Sequence, residues 1–230
     1  MISYVSLDSL ISKIKEKKIK NAVFDFDGTL INSEPYHFQA HKIIMKKLAN
    51  HNLTKEEYVK KFLGHTNEET YAIFEKEHNL NLNIEEIIKE KLSITNHLLI
   101  NDKVKIFDYF FKLTSELKDV NFYILSNSNA DIIVEMLKIN NCLNYFKKIY
   151  SLTDLNLNKE YFIENLENLA NIDRKSTVIF EDSNSKIKLA KKLNYALVVG
   201  VETDMNAGQL IDAEDIIKVD KDGKTHTTNI

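Results

Sequence analysis

Along most of this chain, short apolar runs that end on polar residues alternate with stripes of apolar residues at helical spacing. Between residues 35 and 100 only the helical stripes occur. Leu7, Leu10, Ile11 and Ile14 recur at helical intervals among polar residues and predict an amphipathic helix over 6–18. Ala22-Val23-Phe24 follows as a short apolar run that stops at Asp25, the pattern of a buried strand with a carboxylate at its end. Ser33 then offers an N-cap, and Pro35 stands in the first turn of the next helix. Four helices are predicted in the all-helical stretch, over 35–50, 54–63, 67–79 and 84–99, with no strand between them.

After Asn101 the alternation returns. Ile106, Phe110, Leu113 and Leu117 mark a helix, and Phe122-Tyr123-Ile124-Leu125 marks a strand that stops at Ser126. Strand-like runs recur at 148–152, 177–180, 196–199 and 216–217, with helical segments at 129–140, 159–171 and 184–193 separating most of them. Strands alternating with helices predict an α/β fold whose parallel sheet is covered on both faces. The helical block interrupts that alternation once, so it reads as an inserted cap. The expected domains are a core of residues 1–33 and 101–220, a helical cap of 34–100, and a mobile tail of 221–230 with little apolar content.

Composition narrows the function classes. Hydrophobic residues are 43% and charged residues 28% of the chain, a globular rather than a disordered profile. The net charge is −3 and Arg174 is the sole arginine, which argues against a nucleic-acid interface built on bidentate arginine contacts. Cys142 is the sole cysteine, so neither an intrachain disulfide nor a cysteine-based zinc site can form. Asp8, Lys13, Lys15 and Glu16 interrupt the N-terminal apolar pattern, and no stretch approaches the ~20 apolar residues of a membrane span. A cytoplasmic monomer without a membrane or nucleic-acid partner is the default expectation. With five glycines and one proline, Asn and Lys are expected to fill turn and cap positions.

In an open parallel sheet, ligands bind beyond the carboxyl ends of the strands. Four polar positions stand where apolar runs stop or a helix begins: Asp25 with Asp27, Ser126 with Asn127, Lys159, and Glu181 with Asp182. Carboxylates gathered in one place require a hard cation, and Mg²⁺ prefers oxygen ligands. A metal on Asp25 and Asp182 would draw in a phosphate, Ser126 would donate a hydrogen bond to it, and Lys159 would supply positive charge. Asp25 is then the candidate nucleophile, Asp27 the candidate acid and base, and Gly28 the turn that lets the backbone approach the phosphate. Each piece has a bland alternative: a calcium loop, a common turn, a solvated lysine or an acidic helix start. The EF-hand alternative fails because Leu30 and Ile31 stand where further acidic ligands are needed. Asp220-Lys221-Asp222-Gly223 repeats the short pattern, but nothing follows it to complete a site, so it reads as a turn into the tail.

In this order, Asp25-Phe26-Asp27-Gly28-Thr29-Leu30, Ser126, Lys159 and Glu181-Asp182-Ser183 resemble the four motifs of the haloacid dehalogenase superfamily of aspartyl phosphohydrolases. Glu34-Pro35-Tyr36-His37-Phe38-Gln39-Ala40 and Phe62-Leu63-Gly64 resemble the branch with a small helical cap that includes β-phosphoglucomutase and many sugar-phosphate phosphatases. The resemblance implies a Rossmann-like parallel sheet with a mobile cap, and a Mg²⁺-dependent phosphomonoesterase acting on a small phosphorylated metabolite such as a sugar phosphate. It implies Asp25 and Asp27 as catalytic residues, Gly28, Thr29, Ser126, Asn127 and Lys159 at the phosphate, and Asp25, Asp27, Asp182 and Glu181 as the metal set. Asp27 disfavours the dehalogenases and phosphonate-cleaving relatives, which lack this acid. His65, Thr66, Asn67 and Glu68 follow Gly64 where the mutase carries an arginine, which favours hydrolysis over isomerisation. A mutase and a non-catalytic phospho-ligand binder are the alternatives.

Overall fold

The computed structural model describes residues 3–220 and 223–225. Seven strands form one parallel sheet: β1 (Ser3–Tyr4), β2 (Asn21–Phe24), β3 (Asn121–Ser126), β4 (Phe146–Ser151), β5 (Thr177–Glu181), β6 (Leu197–Glu202) and β7 (Asp215–Lys218). In chain order the helices begin with α1 (Leu7–Glu16), α2 (Glu34–Ala49), α3 (Lys55–Lys61), α4 (Asn67–His78), α5 (Ile84–Asn101) and α6 (Asp108–Glu116). They continue with α7 (Ala130–Ile139), α8 (Leu152–Leu155), α9 (Lys159–Glu164), α10 (Leu166–Ala170) and α11 (Asn184–Lys192). Two compact units result, one of Met1–Asn32 with Val104–Ile230 and one of Ser33–Lys103.

The sheet belongs to the first unit, and its order is β1-β7-β6-β5-β2-β3-β4. From β2 the chain builds outward through β3 and β4, then returns to the other side of β2 with β5, β6 and β7. The carboxyl end of β2 is therefore the topological switch point, where an open α/β sheet leaves a crevice. Register sets the level of the residues around it: Phe24 pairs with Ile124 on one side and Phe180 on the other. Beneath the crevice, Phe24 stacks on Phe180 at 4.4 Å and meets Phe110 edge-on at 5.7 Å. Such aromatic pairs add about 1 kcal/mol each beyond their burial and stiffen the base of the site.

In the second unit α5 packs against α2 and α4. Thr54, Thr66 and Asn83 cap α3, α4 and α5 with their side chains, and Thr66 with Glu69 completes a capping box. Asn50 and Asn79 close α2 and α4 in the left-handed conformation usually given to glycine. The eight non-glycine residues with positive φ among the described residues are asparagines and lysines throughout, so these residues do take over the punctuation.

Several sequence expectations differ from the structure. Ser33 stands at the N-cap of α2 with φ −85° and ψ −19°, and its buried hydroxyl bonds to nothing among the described residues, so the expected side-chain cap is not made. The helix expected over 159–171 breaks at Asn165, whose amide side chain donates to the Tyr161 carbonyl and competes with the helical ladder. β1 and α8 were not predicted, being two and four residues long and too short to show a period. Of the expected tail, Gly223 to Thr225 are held to the first unit: Asp108 N–H donates to Gly223 O at 2.9 Å, and Thr225 bridges to Val219. The rest of that tail lies outside the described residues. No helix among the described residues is long and apolar enough to cross a membrane.

Candidate active site

Asp25 follows β2 directly, and its N–H donates to Phe180 O at 3.0 Å, continuing the ladder by one residue. The register that pairs Phe24 with Phe180 puts Asp25 level with Glu181, the last residue of β5, and Asp182 follows. Each of these three residues offers a carboxylate oxygen within 4.8 Å of the others. Three hard anionic oxygens so close repel one another unless positive charge lies among them, and this donor set fits Mg²⁺.

Part of that charge is already present. Lys159 is the first residue of α9, after Asn158, whose side chain caps the helix by accepting from Tyr161 N–H at 2.7 Å. Its ammonium lies 2.8 Å from Asp25 Oδ1 and 2.9 Å from Glu181 Oε2, with only 5% of the side chain exposed. Burial opposes its charge, but the two carboxylates outweigh that and hold Lys159 above the usual lysine range. Asp25 behaves oppositely. Its carboxyl is raised to about 7, with burial as the largest cause; Lys159 pulls it down, and the charges of Glu181 and Asp27 push it up.

The turn after Asp25 is bound tightly. Gly28 has φ +69°, and its N–H donates to Ile31 O at 2.9 Å. A Cβ at Gly28 would lie 2.0 Å from Asp182 Oδ2, so only glycine lets the turn and that carboxylate abut. Thr29 is fully buried, with no partner for its hydroxyl among the described residues, while its carbonyl accepts from the Tyr109 hydroxyl at 2.6 Å.

Ser126 ends β3 with its Oγ accepting from Ser128 N–H at 3.0 Å, and Ser128 Oγ donates to Asp27 Oδ2 at 2.5 Å. Asn127 accepts from Thr153 Oγ1 through its carbonyl, so the main chain of Asn127 is anchored. The structure thus brings Asp25, Lys159, Glu181 and Asp182 together, with Gly28 against Asp182, and joins Asp27 to the Ser126 segment. Among the described residues the group of clustered carboxylates is Asp25, Glu181 and Asp182, while Asp27 Oδ2 accepts from Ser128. Glu181 is in the group, but its Oε2 faces Lys159 and its Oε1 accepts from Ser183 N–H at 3.3 Å, so it serves first as an anchor for the lysine. Sequence reasoning missed Ser128, although its spacing two residues after Ser126 was a usable signal, and Tyr109, for which there was none.

A family model described as haloacid dehalogenase-like hydrolase matches residues 22–199 of the chain. Among solved structures, the chain is similar to a conserved haloacid dehalogenase-like protein of unknown function from Agrobacterium tumefaciens, at 24% identity and a TM-score of 0.69 over 86% of this chain and 93% of that one. It is also similar to CbbY from Rhodobacter sphaeroides in complex with xylulose-(1,5)-bisphosphate, at 16% identity and 0.72, covering 86% and 93%. A family IA, variant 3 hydrolase from Entamoeba histolytica matches at 20% identity and 0.71, covering 86% and 92%. At these identities the solved structures speak for the fold.

Proposed function

The chain belongs to the haloacid dehalogenase-like hydrolase family, and from that premise we propose that it is a Mg²⁺-dependent phosphomonoesterase acting on a small phosphorylated metabolite. The observation that carries this reading is the buried Lys159 held between Asp25 and Glu181 at the switch point of the sheet, with Asp182 beside them. A phosphate ester placed there meets a nucleophile, an ammonium and a ready cation site at once.

An Asp25 carboxylate oxygen attacks phosphorus, the bond from phosphorus to the ester oxygen breaks, and Asp27 gives that oxygen its proton. Water then attacks the aspartyl phosphate, gives its proton to Asp27, and inorganic phosphate leaves Asp25. Ser128 holds the Asp27 carboxylate in place for both transfers. Lys159 and the Ser126 segment would bind the phosphoryl oxygens, and Gly28 and Thr29 would bring the backbone close to them. Mg²⁺ on Asp25 and Asp182 would offset the charge on the phosphoryl group and favour the ionised form of Asp25. The bisphosphate in the Rhodobacter neighbour makes sugar phosphates the first substrate class to assay.

Purified protein is expected to hydrolyse an aryl phosphate with Mg²⁺, and Asp25→Asn is expected to lower the rate by at least about three orders of magnitude. Activity that survives the substitution removes Asp25 as nucleophile. Isomerisation of a hexose phosphate primed by its bisphosphate, in place of phosphate release, would replace hydrolysis with mutase chemistry.

A further inference from the structure

We infer that Asn206, which lies outside all four motif segments, is a positioning residue for Asp182 and thereby sets the affinity of the acidic group for its cation. The inference rests on the phosphohydrolase reading above. The paired part of β5 and β6 ends at Glu181 and Gly200, so Asp182 and Val201 are the next pair, beyond the last rung. Asn206 fills that place. Its Nδ2 donates to the carbonyl of Asp182 at 3.0 Å and to that of Val201 at 3.1 Å, while its Oδ1 accepts from Thr203 N–H at 2.7 Å. Both amide hydrogens and the amide oxygen are used, and a flipped side chain would set Oδ1 against two carbonyls, so the orientation is fixed by chemistry. The group is buried, where each of these bonds is costly to lose.

Asp182 is thereby held on two sides. Its carboxylate abuts Gly28 closely enough to exclude a Cβ, and its main chain hangs from Asn206. Partners that orient a metal's ligands commonly shift its affinity about 10- to 100-fold when lost, and Asn206 would act on Asp182 at the low end of that range, through the main chain. The same loop makes a second tie that serves as an internal control. Asn184 Nδ2 donates to Asp212 Oδ2 at 2.8 Å, and Asp212 N–H donates to Asn184 Oδ1 at 2.9 Å, a tie made at the second residue past Asp182.

The experiment is calorimetric titration of the full chain with Mg²⁺ alone, comparing wild type, Asn206→Ala and Asp212→Ala, with the metal-free melting temperature of each. The expected result is a Kd for Mg²⁺ raised about tenfold in Asn206→Ala and less than about twofold in Asp212→Ala. If Asn206→Ala does not fold, Asn206→Ser, which keeps one donor, is titrated against the same criterion. A folded Asn206 variant with unchanged Kd, or an equal rise in Asp212→Ala, overturns the positioning role and leaves the phosphohydrolase reading standing. Wild type that binds no Mg²⁺ overturns that reading itself.

Discussion

Each unit of this protein buries a lysine, and the two surroundings are opposite in kind. Lys159, in the sheet unit, sits between the carboxylates of Asp25 and Glu181 at 2.8 and 2.9 Å. Lys91, in the helical unit, is 1% exposed on α5, and its ammonium lies 2.6 Å from His37 Nδ1 on α2. Near it, His41 is wedged between the rings of Tyr58 and Tyr71 at 5.8 and 5.3 Å and bonds through Nδ1 to the Tyr71 hydroxyl at 3.1 Å. In the first cluster, the two carboxylates hold Lys159 charged against burial, and Lys159 in turn pulls the Asp25 carboxyl down. In the second, burial first and then Lys91 and His37 force the His41 imidazole to remain neutral, with its pKa lowered to about 2. One buried lysine therefore supports charge around it, and the other suppresses it.

The sharpest way to break that contrast is Lys159→Met, which keeps the stem and removes the charge. Glu181, which is buried, and Asp25, whose side chain is 12% exposed, would lose their shared counter-ion, and breaking a buried pair from one side costs roughly 3 kcal/mol or more. The Asp25 carboxyl would also rise further, since Lys159 is what pulls it down. The loss measured by denaturant unfolding is expected to be greatest at high pH, where both carboxylates are ionised, and to shrink as pH falls and one takes up a proton. Hydrolysis should fall at least about a hundredfold with it. A variant as stable as wild type at pH 8 would show that the ion triad is not structural.

The place of this lysine in the cluster could be read from the sequence only through its neighbours. Among thirty lysines, Lys159 alone suggested a solvated residue; it is buried because Asn158 starts a helix that points its first residue at the sheet end. The alternation of strands and helices, the helical block and the carboxylates at strand ends were all legible, because each is a local pattern or a consequence of where a strand stops. The bond from Ser128 to Asp27 joins residues 101 apart, and that from Tyr109 to Thr29 joins residues 80 apart. Nothing in local periodicity encodes such pairings. Asp27 shows the same limit from the other side: its spacing from Asp25 is visible, but the direction of its carboxylate is set by a hydroxyl on another strand's loop.

The helical unit gives the second prediction. His41 in the unfolded chain takes a proton near pH 6.5, whereas in the fold it does not until about 2, so the unfolded state binds more protons between those values. Stability is therefore full above about pH 6.5 and falls as pH drops, by about 2 kcal/mol at pH 5 from this group. His41→Asn is expected to remove about that much of the fall in unfolding free energy between pH 7 and 5, measured by denaturant unfolding at each pH. Lys91→Met should raise the His41 pKa, read by NMR titration of its ring proton, because it removes a nearby positive charge. An unmoved His41 titration would break the claim that Lys91 keeps it neutral.

The smallest effect compares two tyrosine hydroxyls, one per unit. Tyr109 donates to Thr29 O at 2.6 Å, and Tyr71 meets His41 Nδ1 at 3.1 Å. Phenylalanine at either position deletes one buried hydrogen bond, worth about 1 kcal/mol, so both variants should melt a few degrees lower. They should differ in turnover. Tyr109 holds the carbonyl that follows Gly28, so under the proposed chemistry its loss frees the turn beside Asp182 and should lower kcat a few fold while KM stays nearly constant. Tyr71 holds a histidine kept neutral, and its loss should be felt in stability alone. Equal kcat in the two variants would mean that the turn at Gly28 keeps its shape without the Tyr109 bond, and that its rigidity comes from the Asp182 carboxylate packed against it.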